Sequence, residues 1–182
     1  MLLRIAMGLY CLPLLLLVGF VLRDARAQRY SAMAQTAFKA GQYGTAGVSI
    51  ERALNLTPGN AELWLERAEI ERSRWLLWRE KESETRMKTS FTRSAAFSPL
   101  WDKPLDRRSQ VEVAVQDYPA ALRSIEAATA RAPGSGTYWV VRGQYLELLE
   151  EPVKAIQAYH TALSLYDSPE ATAALQRLGV SP

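Results

Sequence analysis

The stretch DYPAALRSIEAATARAPGSGTYWVVRGQYLELLEEPVKAIQAYHTALSLY, residues 117–166, decides the fold because it carries one pattern twice. Ala155-x3-Tyr159-x2-Ala162 is matched 34 residues earlier by Ala121-x3-Ile125-x2-Ala128. Moving outward toward the N-terminus, the same small-large-small triplet returns as Ala46-x3-Ile50-x2-Ala53. Residues three and four apart share one face of a helix, and a fixed period of about 20 to 50 residues is the mark of a repeat architecture. Pro58, Pro99 and Pro133 stand five residues after Ala53, Ser94 and Ala128 respectively. Each proline ends one helix and opens the next turn.

This pattern resembles the tetratricopeptide repeat (TPR) family, whose unit is a 34-residue helix-turn-helix with small residues where its helices meet. The resemblance runs over roughly residues 27–169. Its first unit carries Tyr30, Met33, Ala34, Gly41, Tyr43, Ala46, Ile50, Ala53 and Pro58, and its last carries Trp139, Gly143, Ala155, Tyr159 and Ala162. In the third unit Leu105 and Ser109 replace the aromatic residue and the glycine, while Asp117-Tyr118-x2-Ala121 restores the turn and second helix. The resemblance implies an all-α fold, a right-handed α-solenoid of about four units at 27–60, 61–101, 102–135 and 136–169. A capping helix over 170–179 follows, read from PEATAALQRLG, with proline at its start and glycine past its end.

The second unit is longer than the period. Ala46 to Met87 and Ala53 to Ser94 both span 41 residues, seven more than 34, which is about two helical turns. The extra length falls between Trp64 and Phe91 and predicts a hairpin, about Ala61 to Phe97, that protrudes. Its tip, RWLLWREKESETR at residues 74–86, sets Trp75 and Trp78 three apart. Two readings stand side by side: the tryptophans cap the core of a longer hairpin, or they are an exposed anchor for a partner or a membrane interface.

From Ile5 to Leu22 the sequence IAMGLYCLPLLLLVGFVL holds no charge, and its 18 residues would form a helix about 27 Å long, near the thickness of a bilayer core. Residues 1–26 are therefore expected to be a single transmembrane anchor, with 27–182 the repeat domain. A secretory signal peptide is the competing reading, since Arg4 precedes the apolar run and Ala25-Arg26-Ala27 resembles a cleavage site. Arg4 flanks one side and Arg23, Arg26 and Arg29 the other. The expected location is a bacterial inner membrane, single-pass, with the repeats in the periplasm and the cytoplasmic orientation left open.

Composition narrows the function classes. The 22 basic and 19 acidic residues are interspersed, so no single-sign block exists to grip a polyanion, and nucleic acid is not an expected partner. The single cysteine, Cys11, lies in the apolar run and the single histidine, His160, on a helix face expected to point outward, so no thiolate metal site or nucleophile-base pair is expected. Glu150 and Glu151 read as a solvated pair at a turn. No cofactor, metal or small-molecule substrate is expected, and the protein is not expected to be an enzyme.

The family resemblance implies instead a groove, lined by the first helix of each unit, that takes extended peptides or partner helices. The residues expected to line it are Gln35, Phe38, Leu65, Glu69, Lys103, Arg107, Gln110, Val140, Gln144 and Glu147, a mixed apolar and acidic-polar surface suited to a neutral or basic segment. Lys103 and Arg107 match third-repeat positions of the family's carboxylate clamp, but Ser31, Gln35 and Glu66 depart from it, and Glu66 would repel a carboxylate. The functional expectation is a membrane-anchored scaffold or assembly factor in a bacterial envelope complex (pilus, secretion, polysaccharide export or respiratory biogenesis). The alternatives are a permanent accessory subunit of a membrane complex and a cleaved periplasmic adaptor or chaperone.

Overall fold

The computed structural model describes residues 2–181, with side chains from residue 16 onward. Nine helices and no strand occur among the described residues: α1 Leu2–Lys39, α2 Tyr43–Leu56, α3 Ala61–Trp78, α4 Lys81–Phe97, α5 Lys103–Ala114, α6 Tyr118–Arg131, α7 Gly136–Leu148, α8 Pro152–Leu165 and α9 Pro169–Arg177. Helices α1–α2, α5–α6 and α7–α8 pack as hairpins, α3 and α4 are joined by Arg67 to Ser90 and by Arg86 to Glu71, and α9 packs on α8. The 18-residue α3 and 17-residue α4 are the longest helices after α1, against 14 residues each for α2, α6 and α8.

Two devices recur along the chain and explain where helices start and stop. Trp64 donates from its indole nitrogen to the Pro58 carbonyl at 2.7 Å, and Trp139 does the same to Pro133 at 3.0 Å, so each tryptophan secures the turn that its proline opens. At the ends of α1, α5 and α7 the chain passes through a left-handed residue, Gly41, Gln116 and Glu150. The next amide then reaches back to the last helical turn: Gln42 to Ala37, Asp117 to Glu112 and Glu151 to Leu146, each at 2.8–2.9 Å. Helix starts are satisfied by Asn60, whose side chain accepts from the amides of Glu62 and Leu63, by Asp117, which accepts from Ala120, and by Ser168, which accepts from Ala171.

The chain divides into two units, residues 1–90 and 91–182. In the first, the small residues Ala34 and Ala37 of α1 and Ala46 and Ala53 of α2 let the helices approach, while Ile50, Leu54, Leu63, Trp64 and Ile70 fill the space between them. Ile50 is fully buried, and burying a side chain of that size contributes about 1.5–3 kcal/mol. In the second, one cluster gathers Ala95, Leu105, Ala121, Ile125, Ala128 and Tyr145. Another joins Val140, Leu146, Ala155, Tyr159 and Ala162 to Ala171, Ala174 and Leu175 of α9, so the last helix closes the apolar face of the hairpin before it.

The expectation of an inner-membrane protein with one membrane span is overturned. Among the described residues no helix is long and apolar enough to cross a membrane. In α1, Arg23, Asp24 and Arg26 follow Leu22 within the same helix, which then enters the core at Ala27 and Ala34. The side chains of residues 1–15 lie outside those described, and with them the expectation for Cys11.

Candidate functional site

Within the first unit, α1 and α3 meet across a polar seam. Ser31 donates to one Glu66 carboxylate oxygen at 2.8 Å and Gln35 to the other at 2.6 Å. The seam floors a pocket of about 280 Å³, lined among others by Asp24, Gln28, Ser31, Gln35, Asn60, Glu62 and Glu66. Most acidic side chains of this unit are neutralised: Glu51 by Arg67, Glu69 by Arg72, Glu80 by Arg74 and Glu84 by Lys88. Asp24, Glu62 and Glu66 have no basic partner among the described residues, and all three face this pocket. It therefore carries uncompensated negative charge beside amide donors and acceptors.

The residues expected along a groove separate into four groups. Gln35, Lys103, Gln110 and Gln144 are exposed, with Gln110 bonded to Asp106 and Arg107 at 3.2 Å. Phe38 is half-buried and meets the Tyr43 ring edge-on. Leu65 and Val140 differ from expectation: at 8% and 5% exposure they are core residues, because apolar side chains on these helices turn toward the neighbouring helices rather than toward an open face. Glu69 and Glu147 are occupied. Arg72 holds Glu69 at 2.8 Å, while Glu147 takes the Tyr159 hydroxyl and two contacts from Arg177, at 2.9 and 3.1 Å.

The paired tryptophans of the hairpin tip part ways. Trp75 is 6% exposed, with the Arg79 guanidinium 4.4 Å over its ring, and so cannot serve as an exposed anchor; three residues on, Trp78 is 54% exposed and stands edge-on to Tyr43. His160 is exposed on α8. Among the described residues no three His, Cys, Asp or Glu side chains are placed to hold a metal ion. Burial, reinforced by a carboxylate that accepts the hydroxyl's hydrogen bond, pushes Tyr138 (to Asp102) and Tyr159 (to Glu147) well above the usual phenol range. These bonds hold helices together. The pocket residues Asp24, Asn60 and Glu62 were not expected from the sequence; the signal for Asn60 was its place after Pro58-Gly59, where a helix cap belongs.

Residues 107–172 match a tetratricopeptide repeat model. The TPR reading is supported further by solved structures. MamA (residues 41 to the end) from Desulfovibrio magneticus RS-1 is similar over 85% of this chain and 82% of its own, at 21% identity and a TM-score of 0.64. PilF of Pseudomonas aeruginosa is similar over 86% and 71%, at 15% identity and 0.66. YrrB, described as a TPR protein with an unusual peptide-binding site, is similar over 85% and 75%, at 16% identity and 0.62. At these identities the likeness is one of fold. No curated protein matches the sequence. The TPR fold is a protein-interaction fold, which directs attention to surfaces rather than to reacting groups.

Proposed function

We propose that this protein is a TPR interaction scaffold that recruits another protein by holding a short neutral or basic segment of it against α1 and α3. The observation that carries this reading is the pocket between those helices, where Asp24, Glu62 and Glu66 lack basic partners among the described residues, while Gln28 and Gln35, whose amide nitrogens hold Asp24 and Glu66, leave their carbonyl oxygens, and Asn60 its amide nitrogen, for a peptide backbone. Resemblance of fold to YrrB, a TPR protein with a peptide-binding site, adds support. A cationic side chain entering the pocket would meet a Glu66 carboxylate already oriented by Ser31 and Gln35, so little ordering of that group is needed on binding.

The test is fluorescence anisotropy with labelled ten-to-twelve-residue peptides that differ only in carrying lysine and arginine, glutamine, or glutamate. The cationic set should bind best, and Glu62→Lys with Glu66→Lys should weaken it about tenfold, or about 1.4 kcal/mol. Equal binding of all three sets, or affinity untouched by the double charge reversal, would overturn the reading.

A further inference from the structure

A second surface of the first unit lies at the edge formed by the turns that end α1 and α3. Three aromatic rings run across it. Phe38 meets Tyr43 with centroids 5.6 Å apart at 75°, and Tyr43 meets Trp78 at 5.8 Å and 80°. Edge-to-face contacts of this kind fix ring orientation, so the outer face of Trp78 is presented rigidly. It does not stand alone: Leu76 is 47% exposed and Leu77 58%, making the end of α3 apolar and open to solvent on more than one side. The core of the unit does not use these side chains, since Trp64, Ile70 and Trp75 already fill it. An aromatic residue held rigid beside exposed apolar side chains is the pattern of a binding hot spot.

The charges around the patch have one sign in excess. Lys39 directly follows Phe38, and Arg79 and Lys81 directly follow Trp78 and Glu80. Among the described residues neither Lys39 nor Lys81 enters an ion pair. Glu80, by contrast, is held by Arg74 at 3.0 Å and by Ser83 at 2.9 Å, and Glu84 by Lys88 at 2.6 Å. Among the described residues, Glu82 is the one acidic residue of this edge without an ion pair. A partner that covered the apolar centre would bring its own flanks against Lys39, Arg79 and Lys81, where like charge would oppose association and opposite charge would favour it.

We infer that the Tyr43–Trp78 edge is a docking surface for a segment of another protein with an apolar centre and acidic flanks, distinct from the polar pocket between α1 and α3 and selective for the opposite charge. The two surfaces would let one scaffold hold two segments at once.

Two labelled peptides test this, both with the same Leu-rich centre, one flanked by glutamate and one by lysine. Anisotropy should show the glutamate-flanked peptide binding at least tenfold more tightly, with the preference lost as salt is raised. Trp78→Ala and, separately, Leu77→Ser should each weaken it about tenfold, and Lys39→Glu with Lys81→Glu should reverse the preference. Leu77 is exposed, so its variant and the charge reversal carry the test even where circular dichroism shows Trp78→Ala unfolded. Glu62→Lys with Glu66→Lys should leave this binding unchanged, which separates its failure from failure of the pocket. Equal binding of both peptides, no binding of either, or insensitivity to Leu77→Ser and the charge reversal would overturn the inference. So would self-association that Leu77→Ser abolishes, which assigns the edge to a second copy, or binding to anionic lipid vesicles in preference to the acidic peptide.

Discussion

Gly143 of α7 lies directly beneath the ring of Tyr159 of α8: a Cβ at position 143 would stand 2.5 Å from the Tyr159 Cε1 atom. Real Cβ atoms do not approach that closely, and the ring has no room to retreat, being fully buried and tied through its hydroxyl to Glu147. Gly143→Ala should therefore destabilise the second unit by about 1–3 kcal/mol despite alanine's better helix propensity. Urea unfolding measures it; an unchanged or higher midpoint would mean that the two helices can separate without loss.

Gln116 and Glu150 adopt left-handed backbone angles, φ 63° and 58°, at turns where Gly41 does the same work with φ 74°. A side chain in that region is strained by the contact of its Cβ with the following carbonyl. Gln116→Gly and Glu150→Gly should each stabilise the protein by about 0.5–1 kcal/mol, raising the thermal midpoint. Destabilisation by either would show that the side chain contributes more than its strain.

Tyr138 and Tyr159 both donate to carboxylates, and burial together with those carboxylates raises their ionisation above the usual value of about 10. With the folded pKa above the unfolded one, the folded state holds the extra proton, so stability is complete below about pH 10 and falls as pH climbs beyond it. Replacing both by phenylalanine should lower stability near neutral pH by about 0.5–1.5 kcal/mol per hydrogen bond and flatten that alkaline decline. Denaturant titrations at pH 8 and 11 compare the slopes; equal alkaline loss in wild type and double variant would remove these hydroxyls from the account.

Asn60 accepts from two amides at the start of α3, at 2.9 and 3.3 Å, and also lines the polar pocket. Asn60→Ala should cost about 1 kcal/mol of stability, whereas Asn60→Asp should keep the cap and deepen the pocket's negative charge. Tighter binding of cationic peptides by Asn60→Asp at undiminished stability is the expected pair of results; weaker binding would place the peptide elsewhere.

Much of the architecture was legible from residue types alone because repeats announce themselves locally. The triplet of Ala121, Ile125 and Ala128, repeated 34 residues on, states which face of each helix is buried and how closely its neighbour must approach, and all six of those residues are fully buried. The prolines mark turns for the same local reason. Leu65 and Val140 were misplaced because a groove position and a core position differ by one residue, about 100° around a helix, which apolarity does not resolve. The membrane expectation rested on hydropathy over Ile5–Leu22, while the described part of α1 passes from Leu22 through Arg23 and Asp24 into the core without a break.

The sequence by itself determined the all-α hairpin architecture, the positions of its turns and the small residues at which helices cross, since each follows from spacing within about 34 residues. Only the tertiary structure decided which charges are spent and which remain. Glu69 and Glu147 look as available as Glu62 and Glu66 in the sequence, but Arg72 and Arg177 neutralise the former while no basic residue pairs with the latter among the described residues. Trp75 and Trp78 likewise look alike and end on opposite sides of the surface. The reason is that helix periodicity is a local property, whereas exposure and ion pairing depend on side chains brought together from distant parts of the chain.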